Sequence, residues 1–217
     1  MKTNPVPSPQ PSAPRHRARA ALSALLLACL LSLPACSGAD NAGDTQSERD
    51  AAEQKARQAT QRLVSTLMGE VQTHIKEQGL AGTVTHCSSR AQELSTLIGV
   101  EEGVEIRRVT EKTRNPVDAP DAFERRVLAR FADLAEKGEI EPATAHVEVV
   151  KQDGREVLRF LKPITVMKNC LGCHGTPEQI PQDVQQALRE QYPNDLATGY
   201  AVGDLRGAVS VIVPLGE

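Results

Sequence analysis

Two cysteines and a histidine in the C-terminal part of the chain constrain it more than any other feature. They lie in the segment Asn169-Cys170-Leu171-Gly172-Cys173-His174-Gly175. This C-x-x-C-H pattern is the attachment signature of c-type haem, in which both thiols add to vinyl groups of the porphyrin and the histidine becomes an axial ligand of the iron. The short spacing lets a single turn present both sulfurs to the same edge of the ring. We therefore expect one covalently attached haem c on Cys170 and Cys173, with His174 as an iron ligand.

Three other interpretations of the motif are a chance match, half of a zinc site and a dithiol redox pair. A zinc site normally needs a second pair of Cys or His residues at matching spacing, and no such pair follows. A thioredoxin-type pair is expected between a strand and a long helix of a βαβ unit, which the surrounding sequence does not resemble. The pattern therefore favours haem attachment.

The N-terminal segment is typical of a protein that is exported. Basic residues within 2–19 precede the apolar run 20–34, which is too short to span a bilayer. The end of this run, Leu33-Pro34-Ala35-Cys36, resembles the lipobox of bacterial lipoproteins. We expect residues 1–35 to be a cleaved signal peptide and Cys36 to carry a lipid that anchors the protein to the periplasmic face of a bacterial membrane. Ser37 favours the outer membrane, and ordinary cleavage that leaves Cys36 as a free thiol is the alternative.

Composition limits the remaining possibilities. Aromatic residues are only 2% of the chain and there is no Trp, so the core must be largely aliphatic, and a porphyrin could supply flat apolar mass. The net charge of −3 is not the basic footprint of a nucleic-acid-binding protein. Among the five cysteines, Cys87 has no role in either the lipid anchor or the C-x-x-C-H motif.

The mature chain is predicted to contain a flexible tether at 36–46 and one folded domain at 47–217. Apolar residues at helical spacing predict a long helix from Ser47 to Gly79, followed by a second helix with Thr83 as its N-cap. Val84, Cys87 and Ala91 fall on the apolar face of that second helix, so Cys87 is expected to point inward. His86 should point elsewhere, because neighbouring helical positions differ by about 100°.

The rest of the domain alternates between strands and short helices. A strand at 104–110 is followed by a loop, a helix capped by Asp118 or Asp121, a β-hairpin with the turn Asp153-Gly154, the motif, a short helix at 181–191 and a strand at 205–214. This order predicts an α+β fold with a small antiparallel sheet.

Taken together, several segments resemble the single-haem c-type domain with a PAS-like fold, long described as a domain of unknown function. The matching segments are His86-Cys87-Ser88, Arg114-Asn115-Pro116, Ala119-Pro120-Asp121, Pro163-Ile164, Cys170-Leu171-Gly172-Cys173-His174-Gly175, Tyr192-Pro193, Ala197-Thr198-Gly199-Tyr200 and residues 203–210. The resemblance implies a PAS-like antiparallel sheet flanked by helices, here with a long N-terminal helix. It also implies an iron held by His174 on one side and by the Cys87 thiolate on the other.

Alternatives to Cys87 remain open at this stage. One alternative is that the thiol serves only as a small buried hydrophobe. The other candidate ligands are Met68, Met167, His74, His86 and His146. Basic residues near the sheet ends are candidate partners for the haem propionates, namely Arg107, Arg108, Lys112, Arg114 and Arg206. Only Arg114 and Arg206 lie within segments that match the family.

Three classes of function are compatible with these features. Ligation by His and thiolate fills both axial positions of the iron, which favours redox or gas sensing or electron transfer over catalysis. A sensor of this kind would signal through a separate protein partner. A periplasmic electron-transfer cytochrome is the alternative, and a small haem peroxidase is less expected because the sequence supplies no clear distal acid and base. No catalytic residue is assigned.

Overall fold

A computed structural model describes residues 39–216 of the chain, except for the side chains of residues 39–44. The predicted signal peptide at 1–35 and the predicted lipid site at Cys36 lie outside these residues. The described helices and strands belong to one unit. No helix within 39–216 combines the length and the hydrophobicity needed to cross a membrane.

The first element is a helical hairpin, α1 (Ala39–Glu102), with a sharp break at Gly79. Gly79 has φ 72° and ψ −179°, a conformation that is essentially restricted to glycine. We call residues 39–78 arm 1 and residues 80–102 arm 2. Contacts between them show that the arms run antiparallel: Glu70 forms an ion pair with Arg90 at 2.9 Å, and the rings of His74 and His86 stack at 3.5 Å. The predicted pair of helices is therefore confirmed.

The ends of these helices differ from the prediction. Arm 1 begins at Ala39 rather than Ser47, so most of the segment predicted to be a tether is helical. The segment 39–46 upstream of Ser47 reads Ala-Asp-Asn-Ala-Gly-Asp-Thr-Gln and contains few good helix formers. The helix extends through it because each residue added to an existing helix gains a hydrogen bond without a new nucleation cost. Thr83 is not an N-cap, because its hydroxyl donates back to the carbonyl oxygen of Gly79 at 2.7 Å from inside arm 2.

Four antiparallel strands form one sheet: β1 (Glu105–Val109), β2 (His146–Gln152), β3 (Arg155–Thr165) and β4 (Leu205–Pro214), in the order β1-β4-β3-β2. The β2–β3 turn has positive φ at both Asp153 (52°) and Gly154 (80°), as the predicted Asp-Gly hairpin requires. Strand β3 runs on to Thr165, past Leu161 where the hairpin was expected to end. Pro163 is tolerated there because the pairing with β2 has already ended at Leu161.

Helices cover both faces of the sheet. The α1 hairpin packs on one face, where Leu63 and Ile98 meet Phe160 and Val211 in the largest core. The second helix, α2 (Ala122–Glu136), covers the other face with Val127, Leu128 and Phe131. The predicted α+β class is confirmed, with a PAS-like antiparallel sheet flanked by helices.

Short elements complete the chain around the motif. Asp121, not Asp118, caps α2, and Glu124 completes a capping box with it. Asp118 is instead buried and accepts a hydrogen bond from Gln92 at 2.8 Å. One turn of helix, α3 (Leu171–His174), carries the motif, and α4 (Gln182–Gln191) follows it and packs against α1.

Candidate functional site

A cavity of about 310 Å³ opens between the α1 hairpin, the motif and the sheet. Its volume lies in the range of small-molecule sites. Both arms of α1 contribute one helical face: Leu67, Met68, Val71 and Ile75 from arm 1, and Leu80, Thr83, Val84, Cys87 and Ala91 from arm 2. The walls are mainly aliphatic, so the cavity suits a flat apolar ligand.

The motif lines this cavity with both of its thiols. Cys170 and Cys173 are unpaired cysteines, and burial raises the pKa of the Cys173 thiol. Gly172 between them faces the tip of the hairpin, where an added Cβ would lie 3.0 Å from Cδ1 of Leu80. A larger residue would require the Leu80 side chain to shift by a few tenths of an ångström, so glycine makes the close approach of this turn to arm 2 easier.

His174 is held in one orientation by the loop before β4. Its Nδ1 lies 2.7 Å from the carbonyl oxygen of Ala197, which can only accept, so Nδ1 carries the proton. Burial, together with Arg114 and Arg206, lowers the pKa of His174 to about 3. The imidazole is therefore neutral near pH 7, and its Nε2 lone pair is available to a metal.

Cys87 faces the cavity, whereas its neighbour His86 does not. Cys87 lines the cavity, and burial raises the pKa of its thiol while Arg108 and Arg114 act in the opposite direction. His86 turns away, stacking on His74 with its Nε2 3.5 Å from Glu70. Its position matches the expected 100° rotation between the two residues.

The other candidate ligands also divide into residues that line the cavity and residues that do not. Met68 lines the cavity on arm 1, so it shares the site with Cys87. Met167 is half exposed and His146 lies on β2 beside Glu148, with Nε2 3.0 Å from the carboxylate. Neither Met167 nor His146 lines the cavity.

Three arginines face the cavity, and they differ in their partners. Arg206 donates to Thr110 Oγ1 at 3.1 Å, and burial lowers its pKa. Arg108 lies 3.5 Å from the Asp118 carboxylate, and its buried Nε has no hydrogen-bond partner among the described residues. Arg114 is committed to protein groups, above all to Asp195 at 3.0 Å. Arg108 and Arg206 thus retain more capacity than Arg114 for an anionic group of a ligand.

Arg107 and Lys112, also considered from sequence, lie outside the cavity lining. The Arg107 guanidinium pairs with Glu124 beside α2, and Lys112 donates to the carbonyl oxygen of Thr198 at 2.6 Å. The contributions of Asp195 and Ala197 were not predicted. Ala197 acts through its backbone oxygen, for which a sequence carries no signal.

The donor set fits a haem better than a bare metal ion. Among the described side chains, those of residues 45–216, no three His, Cys, Asp or Glu cluster closely enough to hold a metal ion. Two thiols and an imidazole on one turn, a further thiol on another wall and arginines at the cavity match what a covalently bound porphyrin requires.

Comparison with known proteins shows the family to which the chain belongs. Residues 45–214 match the family described as Tll0287-like. The chain belongs to this family. A solved structure described as the cyanobacterial heme-protein Tll0287 is 27% identical and covers 70% of this chain and 92% of its own, with a TM-score of 0.49. No curated protein matches the chain. The Tll0287-like match spans the hairpin, the sheet and the motif, and therefore every residue that lines the cavity.

Proposed function

We propose that this chain binds a single haem c, attached through thioethers at Cys170 and Cys173. The observation that carries the proposal is that both motif thiols, His174 and Cys87 line the same apolar cavity. Family membership supports it, since the protein Tll0287 is described as a heme-protein. The bound group would supply a one-electron redox centre.

Each cavity residue has a distinct role in this proposal. His174 would offer Nε2 to the iron, with its ring fixed through Nδ1. Cys87 would offer its sulfur to the iron as well, and the aliphatic faces of both α1 arms would keep water from the ring. Arg206 and Arg108 would bind the propionates. Arg114 contributes positive charge, although most of its donors are already used.

We further propose that the protein is exported, anchored through a lipid on Cys36 and used in redox or gas sensing through a protein partner. The position of Cys87 on arm 2 supports sensing, because the ligand belongs to an arm joined to the rest of α1 at the single break of Gly79. A change of ligation at Cys87 would therefore act on a whole helix that a partner can contact.

Electron transfer is the second candidate, and exposed apolar side chains beside the motif favour it. Met167, Leu196 and Val202 are 50%, 57% and 60% exposed. The segments that carry Met167 and Val202 are joined by the hydrogen bond from Gly203 N to Val166 O at 2.9 Å. Such a patch could meet a redox protein close to the motif.

The experiment that tests haem attachment is expression with a c-type maturation system. The purified protein should stay coloured after denaturation, and replacing both Cys170 and Cys173 with Ala should abolish the covalently retained colour. A wild-type protein that loses all colour on denaturation contradicts covalent attachment. To separate the two functions, carbon monoxide is added to the reduced protein: a gas adduct favours sensing, while an unchanged spectrum with fast electron exchange favours electron transfer.

A further inference from the structure

Arg114 and Asp195 form an ion pair that is shielded from solvent beside the motif. Their side chains are 12% and 9% exposed, and Nη2 of Arg114 lies 3.0 Å from Oδ2 of Asp195. The two residues are 81 positions apart, so the pair ties the loop after β1 to the loop before β4. Shielding the two charges from water costs desolvation free energy, so the pair needs a structural or functional role that offsets this cost.

The ion pair contacts Ala197, the residue whose carbonyl oxygen orients His174. Asp195 Oδ1 accepts from the backbone N–H of Ala197 at 2.8 Å. Arg114 Nη2 donates to Cys173 O at 2.6 Å and approaches Ala197 O at 3.4 Å. The same Ala197 oxygen accepts from His174 Nδ1 at 2.7 Å. Arg114 and Asp195 therefore hold Ala197 at its carbonyl and at its amide, respectively.

We propose that the Arg114–Asp195 pair is a positioning device for the His174 imidazole and sets how strongly that imidazole donates to a bound iron. The inference rests on the proposed haem function and deepens it. It changes the assignment of Arg114 from a propionate partner to a residue that acts through Ala197 on the proximal ligand.

The physical basis is the sharing of one oxygen. A carbonyl that accepts from Nδ1–H draws that proton toward it and makes Nε2 a stronger donor. A guanidinium on the same oxygen withdraws electron density and weakens this effect. Arg114 therefore favours the reduced iron both through its charge and through the shared oxygen, whereas Arg108 contributes charge to the same cavity without touching Ala197.

The test compares four variants of the full-length protein: Arg114→Gln, Arg114→Lys, Asp195→Asn and, as a control that removes one positive charge outside the cavity, Arg126→Gln. Two quantities are measured, the midpoint potential of the haem and the solvent-exchange rate of the His174 Nδ1 proton by NMR. Arg114→Gln should lower the potential more than Arg126→Gln does, although both remove a positive charge. Asp195→Asn should raise the potential, because it removes a negative charge.

Proton exchange separates positioning from simple electrostatics. Both Arg114→Gln and Asp195→Asn should speed exchange of the Nδ1 proton about tenfold, since each loosens the carbonyl that holds it. Arg114→Lys should restore the charge but not the exchange rate, because Lys lacks the planar fork. The exchange rate in Arg126→Gln should equal that of the wild type, because Arg126 is exposed and pairs with Glu148 outside the cavity.

The inference is overturned if exchange in both Arg114→Gln and Asp195→Asn matches the Arg126→Gln control. If Arg114→Gln does not fold, the exchange rate in Asp195→Asn decides the test alone. The Asn amide oxygen can still accept from Ala197 N, so this variant keeps the loop contact while it removes the ion pair with Arg114. Exchange is measured on the purified protein whether or not it is coloured. A colourless protein therefore contradicts the proposed haem function and still reports on the ion pair.

Discussion

His174 Nδ1 lies 2.7 Å from the carbonyl oxygen of Ala197, in surroundings that hold the pKa of the imidazole at about 3. Burial is the main cause, and Arg114 and Arg206 add to it. The folded protein therefore keeps His174 neutral at pH values where an unfolded chain would protonate it. A neutral, fixed imidazole is the form that a metal ligand needs.

The first prediction is a pH dependence of stability. The folded pKa of His174, about 3, lies below the ordinary value of 6.5, so the unfolded chain binds more protons between these values. The free energy of unfolding should fall as the pH falls from 6.5 towards 3. Denaturant unfolding across this range should give a shallower slope for His174→Gln. An identical slope would show that His174 is protonated in the fold.

The second prediction concerns the second axial ligand. Cys87→Ala should remove the thiolate signature from the ferric absorption and EPR spectra and raise the potential, because an anionic thiolate stabilises ferric iron. His86→Ala, one position along the helix, should leave both spectra unchanged because its ring stacks on His74 outside the cavity. Met68→Leu is the control inside the cavity. Spectra that respond to Met68→Leu but not to Cys87→Ala would assign the ligand to Met68.

The third prediction tests the break in the hairpin. Gly79→Ala should destabilise the protein by about 1–3 kcal/mol, because φ 72° with ψ −179° is open essentially to glycine alone. Gly69→Ala, inside arm 1 with nothing within 4 Å of an added Cβ, should stabilise it by about 0.5–1 kcal/mol. Thermal or denaturant unfolding measures both. Equal effects would mean that the chain does not reverse at Gly79.

The fourth prediction concerns Glu124, a buried carboxylate in the first turn of α2. Glu124 is 1% exposed and pairs with Arg107 and with Arg159, the latter at 3.3 Å. Glu124→Ala should cost about 3–5 kcal/mol, because it leaves Arg159 buried with less compensation. Glu148→Ala, which removes an exposed partner of Arg126, should cost at most about 1 kcal/mol. Similar losses would show that the Glu124 cluster is solvated.

Local patterns were sufficient to predict much of the fold and of the site. Helical spacing and Gly79 predict two helices with a break between them, though not that they run antiparallel. Asp153-Gly154 predicts the β2–β3 turn, and rotation along arm 2 separates Cys87 from His86. These features depend on residues close together in the chain, where backbone geometry limits the outcomes.

Contacts between distant segments could not be predicted in this way. Arg114 was expected to face a propionate, yet it meets Asp195, 81 residues away, and the carbonyl of Cys173. No periodicity encodes which loop lies next to which, or which backbone oxygen becomes an acceptor. The start of α1 at Ala39 was missed for a different reason, because residues 39–46 are small or polar, include several weak helix formers and lack an apolar stripe, as a linker does.

The joint between the motif and the loop before β4 is made largely by main-chain atoms. Gly199 N donates to Gly175 O at 2.7 Å and Tyr200 N donates to His174 O at 3.0 Å. An alanine scan exchanges side chains and would leave these bonds intact, so it would detect the Asp195 side chain but miss the main-chain contacts. Engineering of this protein should instead treat the length and path of the loop as invariant, and probe them by deletion or by proline.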